Sequence, residues 1–395
     1  MRAYGVLGYS GTNNLGDEIQ SIAAAQLLPR VDHYLNRDDL HMQSDRLGHD
    51  VFAVMNGWYC QWPERWPASA KIRPLLISMH VTQERVDSDF GLIPSEYLLA
   101  APISTYLIRN GPVGARDLNT LSLLQRAGIP SYFSGCLTLT LDRPDVCRGD
   151  DLIVYNDIPV KVVRFLRLAS SKRLFGTSHV DFPEQDQVGR IARAHELLHL
   201  YARASCVVTG RLHCALPCLA MGTPVLLIDC AGDQYRFAGL SDFLNHCTPD
   251  ALLSGAFTFD VDNPPPNGTR HMPYREGLIK RVRDFVAESV TESADRSAFA
   301  ATDSDRQATM INLFSRHGRP RPAWRARRRT YIKASPQNPD SADVEGNVAI
   351  RSGALLSADL YSQHEGRRFG RNVFVNGRRL DEGSWSIHAS DWESL

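Results

Sequence analysis

Residues 206–230 read CVVTGRLHCALPCLAMGTPVLLIDC, and the fold class follows from them. Cys206 to Thr209 is a short β-branched run, the pattern of a buried parallel strand. His213 to Met221 is apolar and helix-forming, and Gly222-Thr-Pro stops it. Val225 to Asp229 is a second buried strand. Strand, helix, strand is the grammar of a doubly wound α/β domain. Between the first strand and the helix sits Gly210-Arg211-Leu212-His213. A cation and an imidazole are thus placed at the carboxyl end of a strand and the start of a helix. Open α/β sheets bind ligands there, and a helix start favours anions. The pair points to an anionic substrate and to proton transfer.

The same grammar extends outward. At 395 residues the chain suits two domains with an appendage. Expected strands are Ala3 to Gly8, His33 to Asn36, Val51 to Met55, Leu75 to Met79, Ser131 to Phe133 and Leu137 to Leu141, with helices over Asp17 to Leu28 and Asp117 to Ala127. Arg143 to Asp151 reads as a connector. A second series follows: strands at Leu152 to Tyr155 and Arg173 to Gly176, helices at Lys161 to Leu168, Val188 to Ala204 and Tyr274 to Val290. The expected division is an N-terminal αβ domain over 1–148, a C-terminal αβ domain over 149–315, and a basic linker with a small extension over 316–395. In the extension, RNVFVNGRRLDEGSW (371–385) has hairpin chemistry, with Asn376-Gly377 as its turn.

Composition narrows the function classes. Hydrophobic residues are 43% and charged residues 22%, an ordinary globular balance. Forty-four basic residues against 44 acidic ones exclude an overall nucleic-acid electrostatic binder. No apolar run reaches the length of a spanning helix, and no signal-peptide pattern opens the chain. The eight cysteines are scattered in apolar contexts without a second metal-spaced pair, so buried, reduced thiols in a cytoplasmic chain are expected.

Four further segments carry candidate chemistry. Gly8-Tyr-Ser-Gly-Thr-Asn-Asn-Leu-Gly-Asp-Glu joins the first strand to the first helix, so Asn14, Gly16 and Asp17 stand at a helix start. Its glycine spacing is not a dinucleotide fingerprint, and a tight βα turn with an Asp cap explains it equally well. Gly114-Ala-Arg116-Asp117 ends a strand, where Arg116 can clamp a carboxylate or phosphate through its fork of donors, or pair with Asp117 on the surface. Ser134-Gly-Cys136-Leu-Thr138 stands near the domain boundary, so Ser134, Thr138 and Cys136 are cleft candidates. Cys136 is not expected to be catalytic. Ile77-Ser-Met-His80 delivers His80 to a strand end, as a ligand or as a satisfied structural histidine. Trp58, Tyr59, Trp62 and Trp66 in NGWYCQWPERW offer sugar-stacking faces or simply pack a loop.

In their order along the chain, Asn14-x-Gly16-Asp17-Glu18, Gly114-x-Arg116-Asp117, SGCLTLTL and Arg211-x-His213 with Gly222-x-Pro224 resemble the polysaccharide pyruvyl transferase family over roughly residues 1–250. The resemblance implies two Rossmann-like domains of the GT-B glycosyltransferase kind. It implies transfer of the enolpyruvyl group of phosphoenolpyruvate to two hydroxyls of a sugar, forming a pyruvate ketal in surface glycan biosynthesis. It places Arg211 and His213 in the donor site as catalytic residues, with Arg116 beside them. Phosphoenolpyruvate is then a substrate, and no cofactor or metal is required, although an ion near Asp17-Glu18 stays open.

His213, with an ordinary pKa of about 6.5, suits the proton donor beside a dianion. The expected partner is a sugar or lipid-linked glycan. A nucleotide-sugar glycosyltransferase and a non-catalytic carbohydrate-binding relative are the alternatives. Arg319 to Arg329 (RPRPAWRARRR) reads either as a peripheral contact with an anionic membrane face or as a solvated linker. The acceptor and the oligomeric state are not legible.

Overall fold

The computed structural model describes residues 2–9, 12–45, 47–59, 66–83, 93–149, 151–182, 186–229 and 234–291, with four strands between 328 and 380. The first half opens with β1 (Ala3–Gly8), α1 (Leu15–Ala25), β2 (His33–Asn36), β3 (Val51–Met55) and β4 (Ile72–Leu76). These strands form one parallel sheet in the order β2-β1-β3-β4. β1 and β3 bury every residue, as strands covered on both faces must. Then follow α2 (Pro94–Leu98), α3 (Ile103–Arg109), β5 (Val113–Ala115), α4 (Leu118–Arg126) and β6 (Ser131–Phe133). β5 and β6 pair in parallel, and Met79 bridges to Ala115. The peptides of Met79 and Arg116 are also tied, since Arg116 N–H donates to Met79 O at 2.8 Å. His80 and Arg116 therefore stand at the same carboxyl edge.

The second half contains β7 (Leu152–Asn156), α5 (Val160–Ala169), β8 (Arg173–Thr177), α6 (Gln187–Arg203), β9 (Cys206–Thr209), α7 (Leu212–Ala220), β10 (Val225–Ile228), α8 (Gln234–Phe237), β11 (Asn245–Cys247), α9 (Pro249–Ser254) and α10 (Met272–Thr291). Its parallel sheet runs β11-β10-β9-β7-β8. The expected α/β class, with parallel sheets, is what the chain forms.

Several expectations are corrected. Leu137–Thr140 is a 3-10 turn, not a strand, because its hydroxyls bond locally: Thr140 Oγ1 donates to Leu137 O at 2.8 Å. The fourth strand lies at Ile72–Leu76, earlier than Leu75 to Met79. The short elements α2, α3, α9 and β11 carry too little periodic signal to be read in advance.

One core spans both halves. Leu15, Ile19 and Ile22 of α1 share it with Leu197, Leu198 and Tyr201 of α6 and with Leu212 and Leu216 of α7. Each such side chain contributes about 1.5–3 kcal/mol on burial. The buried Glu18–Arg190 pair between α1 and α6, with Nε 2.9 Å from Oε1, is near break-even by comparison. Apolar packing joins the halves. α10 returns to the first sheet: its Phe285 ring lies 6.0 Å from Phe52, and Ser289 Oγ is 2.9 Å from Tyr4 OH. At the end of α7, Gly222 adopts φ +71°, the left-handed stop that glycine permits.

The C-terminal segment is a separate unit. Its strands β12 (Arg328–Lys333), β13 (Leu355–Leu360), β14 (Val373–Val375) and β15 (Arg378–Leu380) form an antiparallel sheet in sequence order. Val375 pairs with Arg378, so the arms of the expected hairpin are present, while its turn residues Asn376 and Gly377 lie outside the described residues. Residues 319–327 of the basic run lie outside the described residues, as does Trp62. Among the described residues, no helix is long and apolar enough to cross a membrane.

Candidate active site

The described residues before and at the start of α1 make contacts within the fold. Asn14 caps the helix, its Oδ1 accepting from Gly16 N–H at 3.1 Å. Leu15 N–H donates to His179 O at 2.8 Å, and Asn13 Nδ2 donates to Val180 O at 2.8 Å. The loop thus staples the first half to the second. Asp17 is buried and accepts from Thr12 Oγ1 at 3.1 Å and Gln20 Nε2 at 3.2 Å. Burial pushes its pKa up. Glu18 is committed to Arg190, and burial raises its carboxyl to about 7 against the pull of that guanidinium. Among the described residues, no three His, Cys, Asp or Glu side chains gather to hold a metal ion.

Gly16 meets His213. A Cβ at Gly16 would lie 3.2 Å from both Cβ and Nδ1 of His213, so the absence of a side chain is what lets α7 and α1 approach. His213 Nε2 is buried without a hydrogen-bond partner among the described residues. Burial, and then the charges of Arg116 and Arg236 and the rings of His179 and His80, hold its pKa well below the ordinary histidine value. That shift disfavours the imidazolium, and the imidazolium expected beside a dianion would be favoured only by an arriving anion. Arg211 stands at the N-terminal boundary of α7 without a side-chain capping bond, and its Nε donates to Asp157 Oδ2 at 2.9 Å with the side chain 39% exposed. Asp157 sits at φ +46°, a conformation uncommon outside glycine. The same carboxylate oxygen accepts from His179 N–H at 2.9 Å.

Arg116 is the least expected member. It is 1% exposed, so it is no surface residue. Its Nε and Nη2 have no hydrogen-bond partner among the described residues, and its contact to Asp117 Oδ2 is 3.6 Å, too long for a hydrogen bond. Asp117 is committed elsewhere: Oδ2 is 2.6 Å from His80 Nδ1, and Oδ1 accepts from Thr120 N–H at 2.8 Å as the cap of α4. Burial raises the Asp117 carboxyl, but the His80 hydrogen bond, the charges of His80 and Arg116 and the Thr120 N–H together bring it below the ordinary value. Burial and the Arg116 charge lower His80 to about 4, against the opposing effect of Asp117. His80 Nε2, like His213 Nε2, is buried without a partner among the described residues.

Ser134 and Thr138 use their hydroxyls within the fold. Ser134 Oγ accepts from Ser78 N–H at 3.2 Å and lies 3.0 Å from Ala115 O and 2.9 Å from Gly135 O. Thr138 Oγ1 is 3.1 Å from Cys136 Sγ, and both residues are fully buried. Burial raises the Cys136 thiol pKa, which makes it a poor nucleophile. In the aromatic segment, Tyr59 and Trp66 pack edge-to-face with centroids 4.8 Å apart in the core. Among the described aromatics of this segment, Trp58 stands beside His80, 6.0 Å from its ring, with the Arg236 guanidinium 5.1 Å over the Trp58 ring. Arg236 and Tyr235, from α8, were not singled out in the sequence; no local motif marks them.

The chain is an α/β protein in which His80, Arg116 and His213, from separate strand ends and a helix start, lie within electrostatic reach of one another. The family model described as polysaccharide pyruvyl transferase matches residues 104–232, the segment that holds Arg116, Asp117, Ser134, Thr138, Arg211 and His213. The resemblance drawn from motif order is met there, and the match supports a transferase that acts on polysaccharide.

No curated protein matches the chain. Among solved structures, the UDP-GlcNAc 2-epimerase of Methanocaldococcus jannaschii is 11% identical, covering 80% of this chain and 100% of that one with a TM-score of 0.35. A variant of the wall teichoic acid polymerase TagF is 8% identical, covering 80% of this chain and 90% of that one with a TM-score of 0.33. At these scores the likeness adds nothing to the architecture read from the strands.

Proposed function

We propose that the chain moves the enolpyruvyl group of phosphoenolpyruvate onto two hydroxyls of a sugar, closing a pyruvate ketal and releasing phosphate. One observation carries the reading: the Arg116 guanidinium is buried with two of its nitrogens making no hydrogen bond among the described residues, its Nε lying 3.6 Å from Asp117 Oδ2. Desolvating such a charge costs several kcal/mol, and a bound anion recovers it. Phosphoenolpyruvate offers a phosphate and a carboxylate. In this reading Arg116 takes one, and Arg211 with the start of α7 takes the other.

Two hydroxyl protons must be placed. One ends on the methylene carbon, which becomes the ketal methyl, and one leaves with phosphate as hydrogen phosphate. His213 is the donor to carbon once the substrate's negative charge has raised its pKa. Developing charge at the ketal carbon is balanced by the bound carboxylate. The donor site then draws on both halves of the fold rather than on residues 149–315 alone.

The test is phosphate release from phosphoenolpyruvate across free, nucleotide-linked and lipid-linked sugars. Release that depends on one acceptor class, with a ketal in the product, is expected. Stabilisation by nucleotide diphosphates with no phosphate release would instead favour a nucleotide-sugar glycosyltransferase.

A further inference from the structure

We propose that His80, oriented by Asp117, is the general base that takes the proton from the attacking acceptor hydroxyl. The inference rests on the pyruvyl-transfer reading and assigns a residue to a step that reading leaves open. Asp117 is an acceptor only, so the 2.6 Å contact requires the proton on His80 Nδ1. In the neutral ring, Nε2 is then a bare lone pair. That lone pair is buried and has no donor among the described residues. A core histidine kept for packing would spend both nitrogens, because an orphaned buried acceptor costs about 1–3 kcal/mol. What is missing at Nε2 of the neutral ring is an O–H or N–H group, which a fully deprotonated phosphate or carboxylate cannot supply. The acceptor sugar can.

The surroundings keep the ring neutral and so keep its lone pair, since the Arg116 and Arg236 charges both oppose protonation of His80. Trp58 stands edge-on at 6.0 Å and Tyr235 lies at 6.3 Å, so two aromatic rings flank the imidazole. Thr120 Oγ1 lies 3.3 Å from Nδ1, on the Asp117 side of the ring. Arg116 is on the same strand edge, and His80 lies within electrostatic reach of His213. Nε2 has no solvent exposure. The acceptor therefore reaches it by displacing the rings that flank it, which keeps water from competing as nucleophile.

The step balances as follows. The acceptor oxygen bonds to the enol carbon as the methylene carbon takes a proton from His213, and the O–H proton passes to His80 Nε2. Phosphate then leaves with the C–O electron pair, and the second hydroxyl closes the ketal. The two protons now held by the protein and the second hydroxyl are divided between His213, which is restored, and hydrogen phosphate. His80 returns to its neutral form. Asp117 is a positioning residue: it holds the tautomer and touches no substrate.

The experiment compares wild type with His80→Asn and His80→Ala in pyruvyl transfer, with and without added imidazole. The asparagine variant retains a donor toward Asp117, which protects the fold. Both variants should lose about 100- to 10,000-fold in kcat, while thermal stabilisation by phosphoenolpyruvate alone is kept. Imidazole should restore part of the turnover to His80→Ala. Asp117→Asn should lower kcat with little change in the KM for phosphoenolpyruvate. If wild type transfers pyruvyl groups and folded His80→Asn stays within threefold of it, the base assignment is overturned and the pyruvyl-transfer reading stands. Loss of phosphoenolpyruvate binding in folded His80→Asn would also overturn it, by making His80 a donor-site residue. If wild type performs no pyruvyl transfer with any acceptor, the underlying reading fails and this assignment fails with it.

Discussion

Gly16 offers a graded perturbation of the site that need not harm the fold. An alanine there brings its Cβ to 3.2 Å from His213 Cβ and Nδ1 and 3.1 Å from Asn14 Oδ1. Ordinary carbon contacts begin near 3.5 Å, so His213 must move by about 0.3–0.5 Å. Gly16 is the second residue of α1, and alanine gains up to about 1 kcal/mol in helix propensity. That gain roughly offsets the overlap, and Tm should change little. Activity should not be spared. A misplacement of about 1 Å can cost about 100-fold, so roughly 3- to 10-fold is expected in kcat for Gly16→Ala. Gly16→Val adds two methyl groups to the same gap and should fall below about 1% of wild type. The assay is steady-state phosphate release, with thermal melts on the same samples. A folded Gly16→Val that turns over at the wild-type rate would refute the idea that α1 sets the position of a working His213.

Three further outcomes are expected. Glu18 has a folded pKa of about 7 against an ordinary 4.5, so its contribution is intact at low pH and is lost as pH rises through 7, by about 3 kcal/mol in all. Urea unfolding at pH 5 and pH 8.5 should therefore show Glu18→Gln gaining stability relative to wild type as pH rises, and a parallel response would contradict this. Asp157→Asn should raise the KM for phosphoenolpyruvate about 5- to 30-fold by releasing Arg211, equivalent to about 1–2 kcal/mol for a charge-assisted bond, as steady-state kinetics would report. Tyr59→Ala and Trp66→Ala should each lower stability by about 3–5 kcal/mol in denaturant melts, whereas Trp58→Ala should mainly reduce acceptor turnover.

Local signals were legible where they are complete in one stretch. The strand–helix–strand run at 206–228 has its strands and helix where the apolar pattern puts them, within a residue or two. Asp117 as a cap and Gly222 as a stop could be read from residue type alone. The site itself is made of partners far apart in the chain. His80 meets Asp117 across 37 positions, Arg211 meets Asp157 across 54, and Arg190 meets Glu18 across 172. No periodicity encodes such pairings. The same limit explains Ser134 and Thr138, whose hydroxyls looked available until their local acceptors were placed. It also explains Arg116: Arg-Asp is a common surface pair, and only three-dimensional burial distinguishes it.

The central claim is that the buried Arg116 awaits an anion of phosphoenolpyruvate. The direct measurement is the thermal shift of wild type and Arg116→Gln over a phosphoenolpyruvate titration without acceptor. Saturation to about 100 times Kd should stabilise wild type by about 2.7 kcal/mol. Arg116→Gln should fold and bind at least tenfold more weakly. An unchanged affinity in Arg116→Gln, or a wild type that phosphoenolpyruvate does not stabilise at millimolar concentration, would contradict the account.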